Sequence, residues 1–131
     1  MSSKTIQDLF RHGANLLQDM PQSVLEAKVL LLRAARLSEA DFFASPETSL
    51  SPKAEAFFLR LVGRRRAGVP LAYLTGSKEF WSIPLRVSPS VLIPRPETEV
   101  LVEKVLELSS RTDEVILDVG TGSGNIALAL A

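Results

Sequence analysis

A chain of 131 residues is long enough for one full core and too short for two large ones. Hydrophobic residues at 46% and charged residues at 23% fit a globular protein and argue against disorder. The chain has no cysteine and a single histidine, His12. That excludes disulfides, thiolate metal sites and cysteine nucleophiles, and it leaves no histidine cluster or Ser–His relay to build on. His12 lies off the apolar stripe of its segment and reads as an exposed residue without a role. The opening MSSKTIQDLF has no apolar signal core, and no apolar run is long enough to span a bilayer, so a cytoplasmic location with no membrane partner is expected. Net charge is zero but uneven: residues 1–95 carry 13 basic and 8 acidic side chains, and residues 96–131 carry 2 and 7. Such a split either steers a charged partner to one half or marks two solvated surfaces of different composition.

The first two thirds read as short amphipathic helices. In KTIQDLFRHGANLLQDM, Ile6, Leu9, Phe10, Leu16, Leu17 and Met20 fall on one stripe, and Pro21 ends it. Ser23 with Glu26 predicts a capping box for a second helix running to about Leu37. Ser38 with Asp41 repeats the pattern for a short helix ending near Phe43. Ser51-Pro52 starts a fourth helix, whose Ala54, Phe57, Phe58, Leu61 and Val62 recur at helical spacing. Arg64, Arg65 and Arg66 close it, where cations suit the helix dipole, and Gly68 suits the stop. As a nucleic-acid footprint three charges without interleaved aromatics are thin, so the run is read as a solvated helix end.

Beyond GVPLAYLTG the pattern changes. KEFWSIPLRVSPSVLIP mixes aromatic and β-branched residues with turn formers, predicting a two-stranded ribbon that turns near Ile83-Pro84. Phe80 and Trp81 are read as packing residues of that ribbon. Pro94 and Pro96 bracket Arg95, and Pro96 is placed to open a helix with Glu97 and Glu99 in its first turn. That helix is expected to bury Leu101, Val105 and Leu108. Glu97 and Glu99 read as dipole-favouring surface glutamates rather than an acid–base pair. EVILDVG then has the near-continuous apolar character of a parallel strand covered on both faces.

Gly120, Gly122 and Gly124 alternate directly after this strand. Glycine permits positive φ and close approach of a ligand, and a helix starting near Ser123 points free N–H groups into the same space. A dinucleotide fingerprint needs a third glycine where Asn125 stands, and a P-loop needs a lysine that is missing. What remains is either a loop for a ligand without a required pyrophosphate or a tight strand–helix turn that binds nothing.

ILDVGTGSGNIALALA resembles the first motif of class I S-adenosylmethionine-dependent methyltransferases. VLIPRPETE, preceded by AYLTGSKEFWSIPLRVSPS, resembles a narrower group, the peptide-chain release-factor glutamine methyltransferases of the HemK/PrmC family. The resemblance covers the whole chain. It implies a mainly α N-terminal helical bundle (residues 1–75) that helps hold the substrate, a β-hairpin linker (76–93), and the start of an α/β Rossmann-like catalytic domain (94–131). It implies transfer of a methyl group to the glutamine amide of the Gly-Gly-Gln loop of release factors, with S-adenosylmethionine as cofactor. Asp118, Gly120, Thr121, Gly122, Ser123 and Gly124 would then meet the cofactor, and Arg95, Pro96 and Glu97 would lie near it or at the substrate entrance.

The family's catalytic Asn-Pro-Pro-Tyr motif and the acid after its second strand do not occur here. No catalytic residue is therefore assigned, and the chain is expected to be the first part of a methyltransferase, inactive alone and a poor binder of S-adenosylmethionine. Its residues 110–131 are expected to be poorly ordered, swapped or packed on a neighbour. Two other readings stand beside it: a helical protein-binding module without catalysis, and a related methyltransferase acting on nucleic-acid amino groups. IPRPETE argues against the latter, and a nucleic-acid partner is not expected.

Overall fold

The computed structural model describes residues 4–109 and 113–131. These divide into two compact units, Met1–Thr75 and Gly76–Ala131. The first is all-helical: α1 (Ile6–Leu16), α2 (Ser23–Ala35), α3 (Glu39–Ala44), α4 (Pro52–Arg66) and α5 (Leu71–Thr75). The second contains a ribbon, β1 (Ser77–Phe80) and β2 (Ile83–Arg86), a 3₁₀ turn at Pro96–Thr98, α6 (Glu99–Leu108) and α7 (Asn125–Leu130). Among the described residues this antiparallel pair is the whole of the sheet structure.

Helix starts in the first unit follow local chemistry. Thr5 caps α1 and Ser38 caps α3, each with an aspartate three residues on that returns the bond. The Thr5 hydroxyl and amide hold the Asp8 carboxyl below the ordinary aspartate range, and Ser38 does the same for Asp41. A carboxyl so depressed supports the fold above the normal aspartate pKa of about 4 and loses that contribution as pH falls. Ser51 caps α4 with Pro52 in the first turn, as the sequence predicts.

The capping box expected at α2 does not form. Ser23 is already helical, Gln22 holds the cap position without a side-chain bond, and Glu26 is engaged elsewhere. Its carboxylate accepts from Arg65 Nε at 2.8 Å and Nη2 at 3.0 Å, tying α2 to the end of α4. Glu26 is 7% exposed, and its hydrogen bonds to Arg65 raise the guanidinium pKa. The run Arg64–Arg66 is therefore not uniformly solvated. Arg64 and Arg66 are exposed, and Arg65 is half-buried in a two-pronged ion pair.

The first core joins Ile6, Leu9, Leu17, Leu30, Leu31, Phe58, Leu61 and Val62. Phe58 is fully buried, and its ring edge lies where a side chain at Gly13 would stand: a Cβ there would collide with Phe58 Cζ and lie 3.1 Å from Cε1. Gly13 thus lets α1 and α4 approach. Phe10, Phe42 and Phe43 stack edge to face, each adjacent pair at 5.2 Å.

In the second unit the ribbon turns at Trp81-Ser82 rather than at Ile83-Pro84. Both turn residues have positive φ, 52° and 58°, the condition for the tight turn that matches strand twist. Pro84 instead pairs with Glu79 inside the ribbon. Bonded and non-bonded pairs alternate along such a ladder, and the position next to the turn-closing pair is one where the missing amide faces outward. Phe80 and Leu85 point to one face and pack with Val102, Ile126, Ala129 and Leu130.

Two expectations for this unit fail. α6 buries Val102, whereas Leu101 is 50% and Leu108 is 81% exposed. Residues 114–118 form no strand, and Val115 and Leu117 are 97% and 84% exposed. A central strand needs neighbours to take its amides and carbonyls, and none is present among the described residues. The expected parallel α/β layer is thus not observed among the described residues. The expectation of disorder or swapping for residues 110–131 falls partly on residues 110–112, outside the described set.

Gly13→Ala tests the close approach of α1 and α4. Helix propensity alone favours alanine by about 1 kcal/mol. The collision with a fully buried ring outweighs it, so a net loss of about 1–3 kcal/mol is expected in urea denaturation. Glu26→Ala leaves Arg65 without its partner and is expected to cost about 3 kcal/mol by the same assay. Glu26→Met with Arg65→Met costs much less.

Candidate functional site

The glycine loop keeps its shape without a sheet beside it. Gly120, Gly122 and Gly124 have φ of 74°, 58° and 80°, and the Gly124 amide donates to the Thr121 carbonyl at 2.9 Å. At Gly120 and Gly122 a Cβ would meet nothing within 4 Å. Glycine is required there by backbone conformation, and the space in front of the loop is open. Ser123 Oγ lies 3.5 Å from Asn125 Oδ1, at the limit of a hydrogen bond. α7 begins at Asn125, two residues after the expected start.

Asp118 stands just before the loop, half-buried, and its Oδ2 is buried with no hydrogen-bond partner. A buried acceptor left unmade is costly and calls for a donor. Asp118 is the residue that the family resemblance implies would meet the cofactor, and its Oδ2 is an unused acceptor.

Arg95, Pro96 and Glu97 are all exposed. Arg95 is extended ahead of the 3₁₀ turn, and the Thr98 amide donates to its carbonyl at 3.1 Å. The helices that follow the two motifs, α6 and α7, share the cluster around Val102. Among the described residues, no hydrogen bond or ion pair joins Arg95 or Glu97 to the loop. Glu99, read from sequence as a surface glutamate, instead supports the ribbon, since its Oε1 accepts from the Trp81 amide at 2.8 Å. It thereby fixes a turn built from two non-glycine residues with positive φ, an arrangement that needs outside support. Sequence spacing gives no sign of a bond spanning 18 positions.

The helical unit also has two surface grooves. One, of about 630 Å³, is apolar and includes exposed Phe43, Val24 and Leu25. The other, of about 690 Å³, is lined by Arg33, Arg36, Lys53 and Arg60. His12 is exposed. Among the described residues, no group of three or more histidine, aspartate and glutamate side chains is placed to hold a metal, and no helix is long and apolar enough to cross a membrane.

Comparison of the sequence with known proteins places the chain in one family. Residues 8–76 match the family model of the PrmC N-terminal domain. The chain belongs to that family. It is 47% identical over 107 residues to the release factor glutamine methyltransferase of Shewanella oneidensis, covering 82% of this chain and 37% of that protein. With the release factor glutamine methyltransferase of Vibrio cholerae it shares 44% identity over 133 aligned positions, 98% of this chain and 46% of the relative. The release factor glutamine methyltransferase of Moorella thermoacetica is 51% identical over 108 residues, 82% of this chain and 38% of the relative. The chain thus spans less than half the length of these relatives.

Trp81 is the single tryptophan, so its fluorescence reports the ribbon turn. Glu99→Ala leaves the Trp81 amide without its acceptor and is expected to destabilise this unit by about 1–3 kcal/mol, with a red-shifted emission. Glu99→Gln, which retains an acceptor oxygen, is expected to recover most of both.

Proposed function

We propose that this chain supplies the N-terminal helical domain and the first cofactor-binding turn of an S-adenosylmethionine-dependent methyltransferase that modifies the glutamine amide of peptide-chain release factors. The observation that carries the reading is the coincidence of two features: identity of 44–51% to release factor glutamine methyltransferases, and an open glycine turn preceded by an acid with an unused buried oxygen. In this reading Gly120, Thr121, Gly122, Ser123 and Gly124 border the cofactor. The unpartnered Oδ2 of Asp118 accepts from a donor on it, for which the methionine amino group has the right chemistry. When bound, S-adenosylmethionine supplies an electrophilic methyl group.

Arg95, Pro96 and Glu97 are assigned to the substrate entrance. Their exposure leaves them free to meet a protein. Amide methylation depends on orientation, because a neutral amide is a poor nucleophile and holding it in line supplies much of the acceleration. Groups that could hold the amide are not among the residues assigned here, so the chain by itself is expected to transfer no methyl group.

A chimera tests the reading. The matching N-terminal portion of the Vibrio cholerae relative is replaced by this chain, and methylation of a release factor is followed with labelled S-adenosylmethionine. Activity is expected to persist. Asp118→Ala in the chimera is expected to raise the KM for S-adenosylmethionine at least tenfold while leaving the KM for the release factor unchanged. A folded chimera without activity, or an Asp118 variant with unaltered cofactor KM, contradicts the proposal.

A further inference from the structure

The basic groove of the helical unit is not used by the glycine loop or by IPRPETE. It runs between the end of α2 and the first half of α4. Exposed Arg33, Arg36, Lys53 and Arg60 stand around it, and Ala34, Ala35, Ala54 and Phe57 supply its apolar lining. No carboxylate lines it. Glu26, Glu39 and Glu55 are engaged with Arg65, Lys28 and Lys4, and none of the four groove cations has an ion pair to a described residue.

Two of these cations sit against local preference. Lys53 lies in the first turn of α4, where the helix dipole disfavours a positive charge. Arg36 caps α2 with φ of 55°, a conformation that glycine or asparagine normally takes. Arg60 lies over the Phe57 ring, 5.0 Å from its centroid, so cationic and apolar surface adjoin. Four like charges gathered without a counter-charge repel one another, and an anionic partner removes that repulsion.

We propose that this groove docks a short acidic peptide segment of the protein substrate, with carboxylates on the arginines and an apolar side chain against Phe57 and the alanines. The proposal rests on the release-factor reading for the identity of that substrate. A nucleic-acid strand fits less well. Outside the groove Lys4, Lys28 and Arg65 are each paired with a glutamate, so few free cations extend the basic surface along a path that a phosphate backbone could follow. The groove's volume of about 690 Å³ suits a few residues, and its apolar floor suits a peptide side chain.

The test uses the intact 131-residue chain. A fluorescein-labelled octapeptide of alternating glutamate and leucine is titrated by fluorescence polarisation at rising sodium chloride. Binding that weakens with salt is expected, together with no binding of the lysine–leucine counterpart. Arg33→Glu with Arg60→Glu is expected to lower affinity at least tenfold with an unchanged circular dichroism spectrum, and Arg33→Gln with Arg60→Gln to lower it less. Arg64→Glu with Arg66→Glu is expected to leave it unaltered. Equal binding by the groove variant, or tighter groove-dependent binding of an eight-nucleotide oligouridylate, overturns the proposal. Capture of a release factor separates the two claims. Equal capture by the unaltered chain and the groove variant overturns the groove and leaves the release-factor reading standing, whereas no capture by either counts against that reading's substrate.

Discussion

A buried β-strand exists only where neighbouring backbones take up its amides and carbonyls, and this constraint separates the two halves of the chain. The helical unit meets its own requirements. Caps from Thr5, Ser38 and Ser51 satisfy helix starts, Phe58 fits against Gly13, and the buried carboxylate of Glu26 is matched by Arg65. The second unit meets them only in part. Its ribbon closes on α6 and α7 around Val102, while the apolar side chains of residues 115–119 and much of α6 face solvent. Apolar side chains exposed side by side in this way are ones that further packing would bury.

The glycine loop nevertheless keeps its backbone. Its three positive φ values and the bond from Gly124 to Thr121 are local, so they do not wait for a sheet. The conformation of this turn is therefore specified within a short segment, whatever packs beside it. Asp118 lies at the boundary, with one oxygen turned away from water and unbonded. Such a group is tolerated where a ligand later supplies the donor, and it is a liability otherwise.

Features governed by neighbours in sequence were legible. Ser38 with Asp41 and Ser51 with Pro52 mark helix starts because cap and acceptor lie within three residues. The alternating glycines likewise specify their own turn. Features governed by distant partners were not. Ser23 with Glu26 has the same spelling as a capping box, but Arg65, 39 residues away, takes the carboxylate. Pro84 drew the expected turn toward itself, yet the ladder places it where its missing amide is harmless, and Glu99 holds the true turn from 18 residues away. Periodicity along α6 identified an apolar helix without deciding which face is covered, since that depends on what packs against it. The family resemblance carried the functional reading of the glycine loop, which the residues alone left open between a binding turn and a bare connection.

Amide hydrogen exchange on the purified chain tests the proposal that the helical half folds as a unit by itself and that residues 115–119 gain order only beside further strands. Slow exchange is expected in the interiors of α1, α2 and α4, and near-random-coil exchange at residues 115–119. In the full-length chimera those same residues are expected to become protected. Strong protection of residues 115–119 in the monomeric 131-residue chain would contradict the account.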